Sequence, residues 1–230
     1  MKRSGNNCRF FCIFATLTQK RHMDYLSTVD TIILANGRFP DHPLPLSLIE
    51  KAEYIVCTDG AANDFIARGG KPNAIVGDCD SISVENRILY ANILHPSADQ
   101  ETNDLTKSVH FCIQNGRREI AIVGGTGYRE DHTLGNISLL ADYMEAATVM
   151  MVTNYGIFTP MRGVVEFSSH PGQQVSLFSI DSAAITTHNL KYPLTNRILT
   201  NWWQGTLNES LGTHFTVESN GRVIVFRVYR

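Results

Sequence analysis

What most constrains this chain is a rhythm in its first two-thirds, where short apolar runs stop at glycine, asparagine or aspartate. Val29–Ala35 (VDTIILA) ends at Asn36-Gly37, Tyr54–Thr58 at Asp59-Gly60, Ala74–Val76 at Gly77-Asp78, and Ile120–Val123 at Gly124-Gly125. Thr148–Val152 is a further run of this kind. Such runs read as strands buried on both faces. Helical segments lie between them. Pro43 and Pro45 open one that continues to Lys51. Leu105, Val109 and Cys112 share a helical face behind Asp104, and Asn115-Gly116 ends that helix. A third stripe runs through Leu134, Ile137, Ala141 and Met144. Strands alternating with helices predict an α/β, parallel-sheet, Rossmann-like N-terminal domain.

Past Pro160 the helical period vanishes. Val164–Phe167, Val175–Ile180, Ile185–Leu190, Phe215–Val217 and Val223–Val228 are short strand-like runs separated by Gly, Asn, Ser and Pro. This pattern predicts a small all-β antiparallel sandwich or barrel. The expected division is a leader over 1–22, an α/β domain over 23–160 and a β domain over 161–230. Trp202 and Trp203, read as strand neighbours, are expected on opposite faces, the outward one serving a dimer interface.

Composition excludes several classes. The chain has 230 residues with 20 Lys+Arg against 22 Asp+Glu, so no basic excess marks a nucleic-acid partner. No run approaches the ~18 apolar residues of a membrane span. The five cysteines (Cys8, Cys12, Cys57, Cys79, Cys112) lack CxxC spacing, which fits a reducing, cytoplasmic setting better than a disulfide or zinc framework. Residues 1–22 carry a faint basic-then-apolar echo of a secretion signal, but Thr18-Gln19-Lys20-Arg21 follows it in place of a small-residue cleavage site. The leader therefore reads as dispensable or a mis-assigned start, with Met23 an alternative.

The acidic residues collect where ligands bind in open parallel sheets, outside the carboxyl ends of the strands. Asp59, Asp78 and Asp80 each follow an apolar run, and Asp104 opens a helix. A lone Asp-Gly is ordinary turn chemistry. Asp78 and Asp80, one residue apart on an extended segment, point the same way and make a better case for function. Crowded carboxylates are relieved by a divalent cation, and oxygen ligands suit magnesium. Gly124-Gly125-Thr126-Gly127, between a strand and a helix, exposes backbone N–H groups able to cradle phosphate, though a tight connection explains it equally well. Arg129, Asp131 and His132 follow at the same mouth, Asp131 being either a ligand-side group or the helix N-cap.

Four stretches occur in order: Cys57–Asn63 (CTDGAAN), Gly77–Ile82 (GDCDSI), Asp99–Asp104 (DQETND) and Gly124–Asn136 (GGTGYREDHTLGN). With Leu190–Leu194 (LKYPL) and Gly205–Glu209 (GTLNE), this set resembles the thiamine pyrophosphokinase family over roughly residues 29–228. The resemblance implies Mg2+-dependent transfer of pyrophosphate from ATP to the hydroxyl of thiamine, releasing AMP. It implies that Asp78, Asp80 and Asp104 hold Mg2+ and carry catalysis, with Asp59 nearby. Asn63, Gly124, Gly125, Gly127, Arg129, Asp131 and His132 would line the ATP side, again with Asp59. Gln100, Thr206 and Asn208 would approach thiamine, and a homodimer would complete each site across its interface. Cys79 stands where the family usually has Phe, Asn103 where Thr is usual, and Leu207 where a Ser precedes the Asn. Because Leu207 removes a hydroxyl, a pyrophosphokinase for another alcohol such as a pterin stays open. So does a non-enzymatic thiamine or nucleotide sensor, which the intact Asp78, Asp80 and Asp104 argue against.

Overall fold

The computed structural model describes residues 21–23, 25–99 and 101–229. Most of the expected leader and Gln100 therefore lie outside the described residues. The chain runs β1 (Arg21–Met23), β2 (Thr31–Leu34), α1 (Pro43–Lys51), β3 (Tyr54–Thr58), α2 (Ala61–Ala67) and β4 (Ala74–Gly77). It continues through α3 (Val84–Leu89), β5 (Leu94–Pro96), α4 (Asp104–Gln114), β6 (Glu119–Val123), α5 (Glu130–Tyr143) and β7 (Thr148–Val152). The remainder is β8 (Gly156–Ser168), β9 (Gln174–Ser179), β10 (Ala184–His188), β11 (Arg197–Ile198), β12 (Asn208–Glu209) and β13 (His214–Val228). The result is a mixed α/β sheet with a C-terminal β domain, and no helix among the described residues is long and apolar enough to cross a membrane.

Strands β7-β6-β2-β3-β4-β5 lie side by side in parallel. Their alternation sorts side chains onto two faces. Ile33, Val56, Val76, Ile120 and Ile122 pack under α4 and α5 with Leu105, Val109, Cys112 and Leu140. Ile32, Leu34, Ile55, Cys57 and Ile75 pack on the other face with Ala62 and Phe65 of α2 and Leu44 and Leu48 of α1. Burial pushes the Cys57 and Cys112 thiols up to about 12, so both behave as small apolar core groups. The α5 stripe is displaced from expectation. Leu134 is exposed, whereas Leu140, Ala141 and Tyr143 are buried.

The β region differs most from its sequence reading. Val164–Phe167 belongs to a 13-residue strand, and Phe215–Val217 and Val223–Val228 are two parts of one 15-residue strand. These two strands pair along nearly their whole length, from His214↔Ser168 to Val228↔Gly156. Pro160 and Gly163, which look like breakers, both lie inside β8. Pro160 sits opposite Ile224, beyond the last β7 partner at Phe158, so no β7 carbonyl waits for the N–H it lacks. The Asn220-Gly221 break is absorbed by a register shift between Ser219 and Val223. Residue 160 thus falls within a continuous strand. Trp202 and Trp203 are not on a strand but in a short 3-10 helix, Trp202–Gly205, capped by Asn201. Trp203 is exposed, while the Trp202 indole N–H donates to Ser179 O at 3.2 Å.

Arg222 on β13 ties the two regions. Its guanidinium pairs with Asp181 at 2.7 Å and with Asp142 of α5 at 2.6 Å. The hydrogen bonds from Arg222 hold the Asp181 carboxyl down at about 2, against an ordinary 3.8. A depressed carboxylate pKa stabilises the fold above the unfolded value and loses that contribution as pH falls through the folded one. Asp181→Asn is therefore expected to lower Tm at pH 7. The gap from the parent should close between about pH 4 and pH 2, as thermal unfolding across that range will show.

Candidate active site

The site forms at the carboxyl ends of β2, β3, β4 and β6. Asp59 follows β3, Asp78 follows β4, and Asp104 is the first residue of α4. One oxygen from each of these three carboxylates lies within 4.8 Å of the others. Gly77 keeps the space between them open, because a Cβ there would stand 2.8 Å from Asp59 Cβ and 3.3 Å from Asp104 Oδ1. Asn103 caps α4, its side chain accepting from Thr106 N at 2.9 Å, so Asn serves here as well as Thr would.

Asp59 is the buried member, 3% exposed. Ser81 N donates to its Oδ2 at 2.9 Å, and its Oδ1 has no hydrogen-bonding partner among the described residues. Burial pushes its pKa up, the Ser81 hydrogen bonds pull it back, and Asp104 and Asp78 push it further up. A buried carboxylate with one orphaned oxygen, grouped with two other carboxylates, fits a divalent cation, and an all-oxygen donor set suits magnesium. A carboxyl whose folded pKa is raised favours folding below its unfolded value, and this contribution is lost as pH rises through the folded one. Asp59→Asn, which keeps an acceptor for Ser81 N, is expected to raise Tm at pH 7 in chelator while depressing activity. The gain should shrink near pH 4, and a lower Tm at pH 7 would show that ionised Asp59 is no burden to the fold.

Asp80 stands outside the 4.8 Å group and is exposed. Its carboxylate accepts from Ser81 Oγ at 2.8 Å, which chiefly lowers its pKa, and its own N–H donates to Asp78 Oδ1 at 3.2 Å. Cys79 between them adopts φ 64°, with its carbonyl held by Arg87. Asn63 ties this loop down rather than facing open space. Its amide donates to Ser81 O at 2.9 Å, and its Oδ1 accepts from Ser83 N and Asn86 Nδ2 at 3.0 Å.

Beside Asp104 opens a pocket of about 350 Å³ whose lining includes Asn36, Gly125, Tyr128, Arg129, His132 and Asn136. Gly124 and Gly127 shape its wall without lining it. A Cβ on Gly124 would lie 2.7 Å from Ala35 O, and one on Gly127 2.6 Å from Arg38 Cβ. Asp131 is not the α5 N-cap. That position is Arg129, which contributes no side-chain cap, and the two side chains pair at 2.5 and 3.1 Å. The Arg129 contacts hold Asp131 at about 2. His132 N also donates to Asp131 Oδ1, at 2.8 Å.

Thr206 and Asn208 line a separate pocket of about 370 Å³ in the β domain, together with Tyr192, Leu194, Arg197 and Leu207. Their side chains are largely committed within the chain. Thr206 Oγ1 donates to Trp203 O at 2.7 Å, and Asn208 clamps Tyr192 through its Oδ1 at 3.0 Å and Nδ2 at 2.8 Å. Leu207 is exposed with φ 60°.

Sequence reasoning missed Asn36-Gly37, Tyr128, Asn136 and Lys107. Asn36-Gly37 obeys the same strand-end rule as the acids, and Asn136 holds the glycine loop by donating to Gly125 O at 2.9 Å. Lys107 lies three residues after Asp104, one helical neighbour along, and binds it at 3.0 Å.

Two family models match this chain: the thiamin pyrophosphokinase catalytic domain over residues 46–152 and its substrate-binding domain over 156–226. Thiamine pyrophosphokinase 1 of Oryza sativa subsp. japonica is 31% identical over 204 residues, covering 75% of this chain and 76% of that protein. Thiamin pyrophosphokinase 1 of Caenorhabditis elegans is 34% identical over 115 residues, covering 46% and 47%. Among solved structures, thiamin pyrophosphokinase from Candida albicans superposes with a TM-score of 0.76 at 22% identity, over 92% of this chain and 94% of that one. The yeast thiamin pyrophosphokinase gives 0.72 at 17%, over 91% of each. The structural matches establish the shared fold, and the sequence matches establish that this chain belongs to the thiamine pyrophosphokinase family.

Proposed function

We propose that this chain is an Mg2+-dependent thiamine pyrophosphokinase, moving pyrophosphate from ATP to the hydroxyl of thiamine and releasing AMP. The observation that carries the reading is the Asp59–Asp78–Asp104 cluster, with its orphaned Asp59 oxygen, standing beside the pocket of the glycine loop. Relatives that cover three-quarters of the chain carry this name, which favours thiamine over another acceptor.

Asp59, Asp78 and Asp104 would hold magnesium, with Asp80, two residues past Asp78, as an additional ligand. Charge neutralisation of the transferred phosphates is the chemistry the ion supplies when bound. The glycine loop and the α5 N-terminus present N–H groups to phosphate. Arg129 adds fixed positive charge at the mouth, where Tyr128 offers an exposed ring. Asp80 or Asp104 would accept the proton of the attacking hydroxyl. Thiamine, a cation, is drawn by the same acidic crevice.

We read residues 23–160 as a Rossmann-like ATP-binding unit and 161–230 as a sandwich-type thiamine-binding unit. The pocket at Thr206–Asn208 would serve a site completed across a homodimer, with Gln100 reaching the same substrate. Free buried thiols at Cys57, Cys79 and Cys112 support a cytoplasmic setting.

Phosphorus NMR of the protein with ATP, Mg2+ and thiamine tests the reaction. Thiamine diphosphate and AMP are expected together, and only when thiamine is present. ADP with thiamine monophosphate would mean transfer of a single phosphoryl group and would sink the reading.

A further inference from the structure

Lys107 has no place in the reaction so far. It closes the first turn of α4 with its side chain 7% exposed, and lysine is almost never this buried unless paired. Among the described residues its ammonium makes one hydrogen bond, to Asp104 Oδ1 at 3.0 Å. The cluster is thus three carboxylates and one ammonium, a formal charge near −2 where the carboxylates alone would carry −3.

We infer that Lys107 is a positioning residue, the resident counter-charge of the Asp59–Asp78–Asp104 cluster. It steadies Asp104 when no cation is present and restrains the binding of a free divalent ion. The inference rests on the proposed reading of that cluster as the metal site. Two physical consequences follow from the geometry. A fixed positive charge near the cluster repels an incoming cation, and Asp104 Oδ1 must give up or share a hydrogen bond to act as a ligand. Cations therefore bind this protein more weakly than its carboxylates alone would allow. Met at position 107 keeps length and apolar packing while removing the charge.

The test is Mn2+ binding to the nucleotide-free protein, followed by electron paramagnetic resonance. Lys107→Met is expected to bind Mn2+ roughly tenfold more tightly than the parent, the scale of one unit charge acting across a few ångströms of partly screened medium. Lys107→Arg, which keeps the charge, should stay within about threefold of the parent. Mn2+ should also raise the Tm of Lys107→Met by more than it raises the parent's, because tighter binding stabilises more. If Lys107→Met folds poorly, Lys107→Gln, which removes the charge but can still donate to Asp104, is expected to bind Mn2+ more tightly than the parent by a smaller factor. Unchanged or weaker Mn2+ binding in the neutral variants, with Asp78→Asn binding more weakly than the parent, would overturn the role of Lys107 and leave the metal site standing. Equal binding by the parent and Asp78→Asn would instead remove the metal-site reading, and the inference with it.

Discussion

Asp78→Ala is expected to lower turnover by about 10²-fold or more, the scale seen when a group that stabilises developing charge is removed. Asp78 suits this test because it is exposed, whereas its partners Asp59 and Asp104 are buried or half-buried. Removing it takes away one carboxylate of the cluster without opening a cavity in the core, so Tm should change little. Steady-state AMP release with magnesium titrated at saturating thiamine is the measurement. The loss should fall on kcat and on the magnesium dependence. Near-normal turnover with an unchanged magnesium profile would take Asp78 out of the mechanism.

Gly37→Ala is expected to have a comparable effect by a steric route. The backbone after β2 is stitched to the glycine loop by Gly37 N→Gly124 O and Arg38 N→Thr126 O, both 2.8 Å. A Cβ on Gly37 would fall 2.3 Å from Gly124 O and 2.5 Å from Thr126 O. Both obstacles are backbone, so no side chain can swing aside and the two loops must part. Asn36 and Gly125 on those loops line the pocket beside Asp104. A displacement near 1 Å in a positioning element costs about 10²-fold, and kcat/KM for ATP should fall by that order. Tm should fall with it, since two backbone hydrogen bonds are strained. An unaltered kcat/KM for ATP would show that the loop pair does not seat the nucleotide.

Several parts of this architecture were legible because local chemistry and global fold agree. The Leu105–Val109–Cys112 stripe, the Pro43 helix start and the strand ends at Asp59, Asp78 and Gly124 each follow from a rule acting within a few residues. The Lys107–Asp104 pair follows the local i,i+3 rule, but the burial of Lys107 is not legible, because it depends on the strands that α4 packs against only in the folded chain. Asn63 and Asn208 read as ligand residues in the sequence but spend their side chains on Ser81, Ser83 and the α3 residue Asn86, and on Tyr192, choices that depend on distant parts of the chain. The lengths of β8 and β13 were hidden for a similar reason. Pro160, Gly163 and Gly221 interrupt an apolar run locally, yet the pairing of two long antiparallel strands carries the ladder past them.

That pairing has a mechanical consequence. At one end β8 pairs with β7 of the α/β sheet, and at the other it shares the Phe167–Phe215 stack of the β core. A ribbon held at both ends has no loose joint at its middle, so the two regions cannot swing apart like lobes on a hinge. Loss of order in the β region would also pull directly on the sheet that carries the carboxylates, so damage there is felt at the phosphate end.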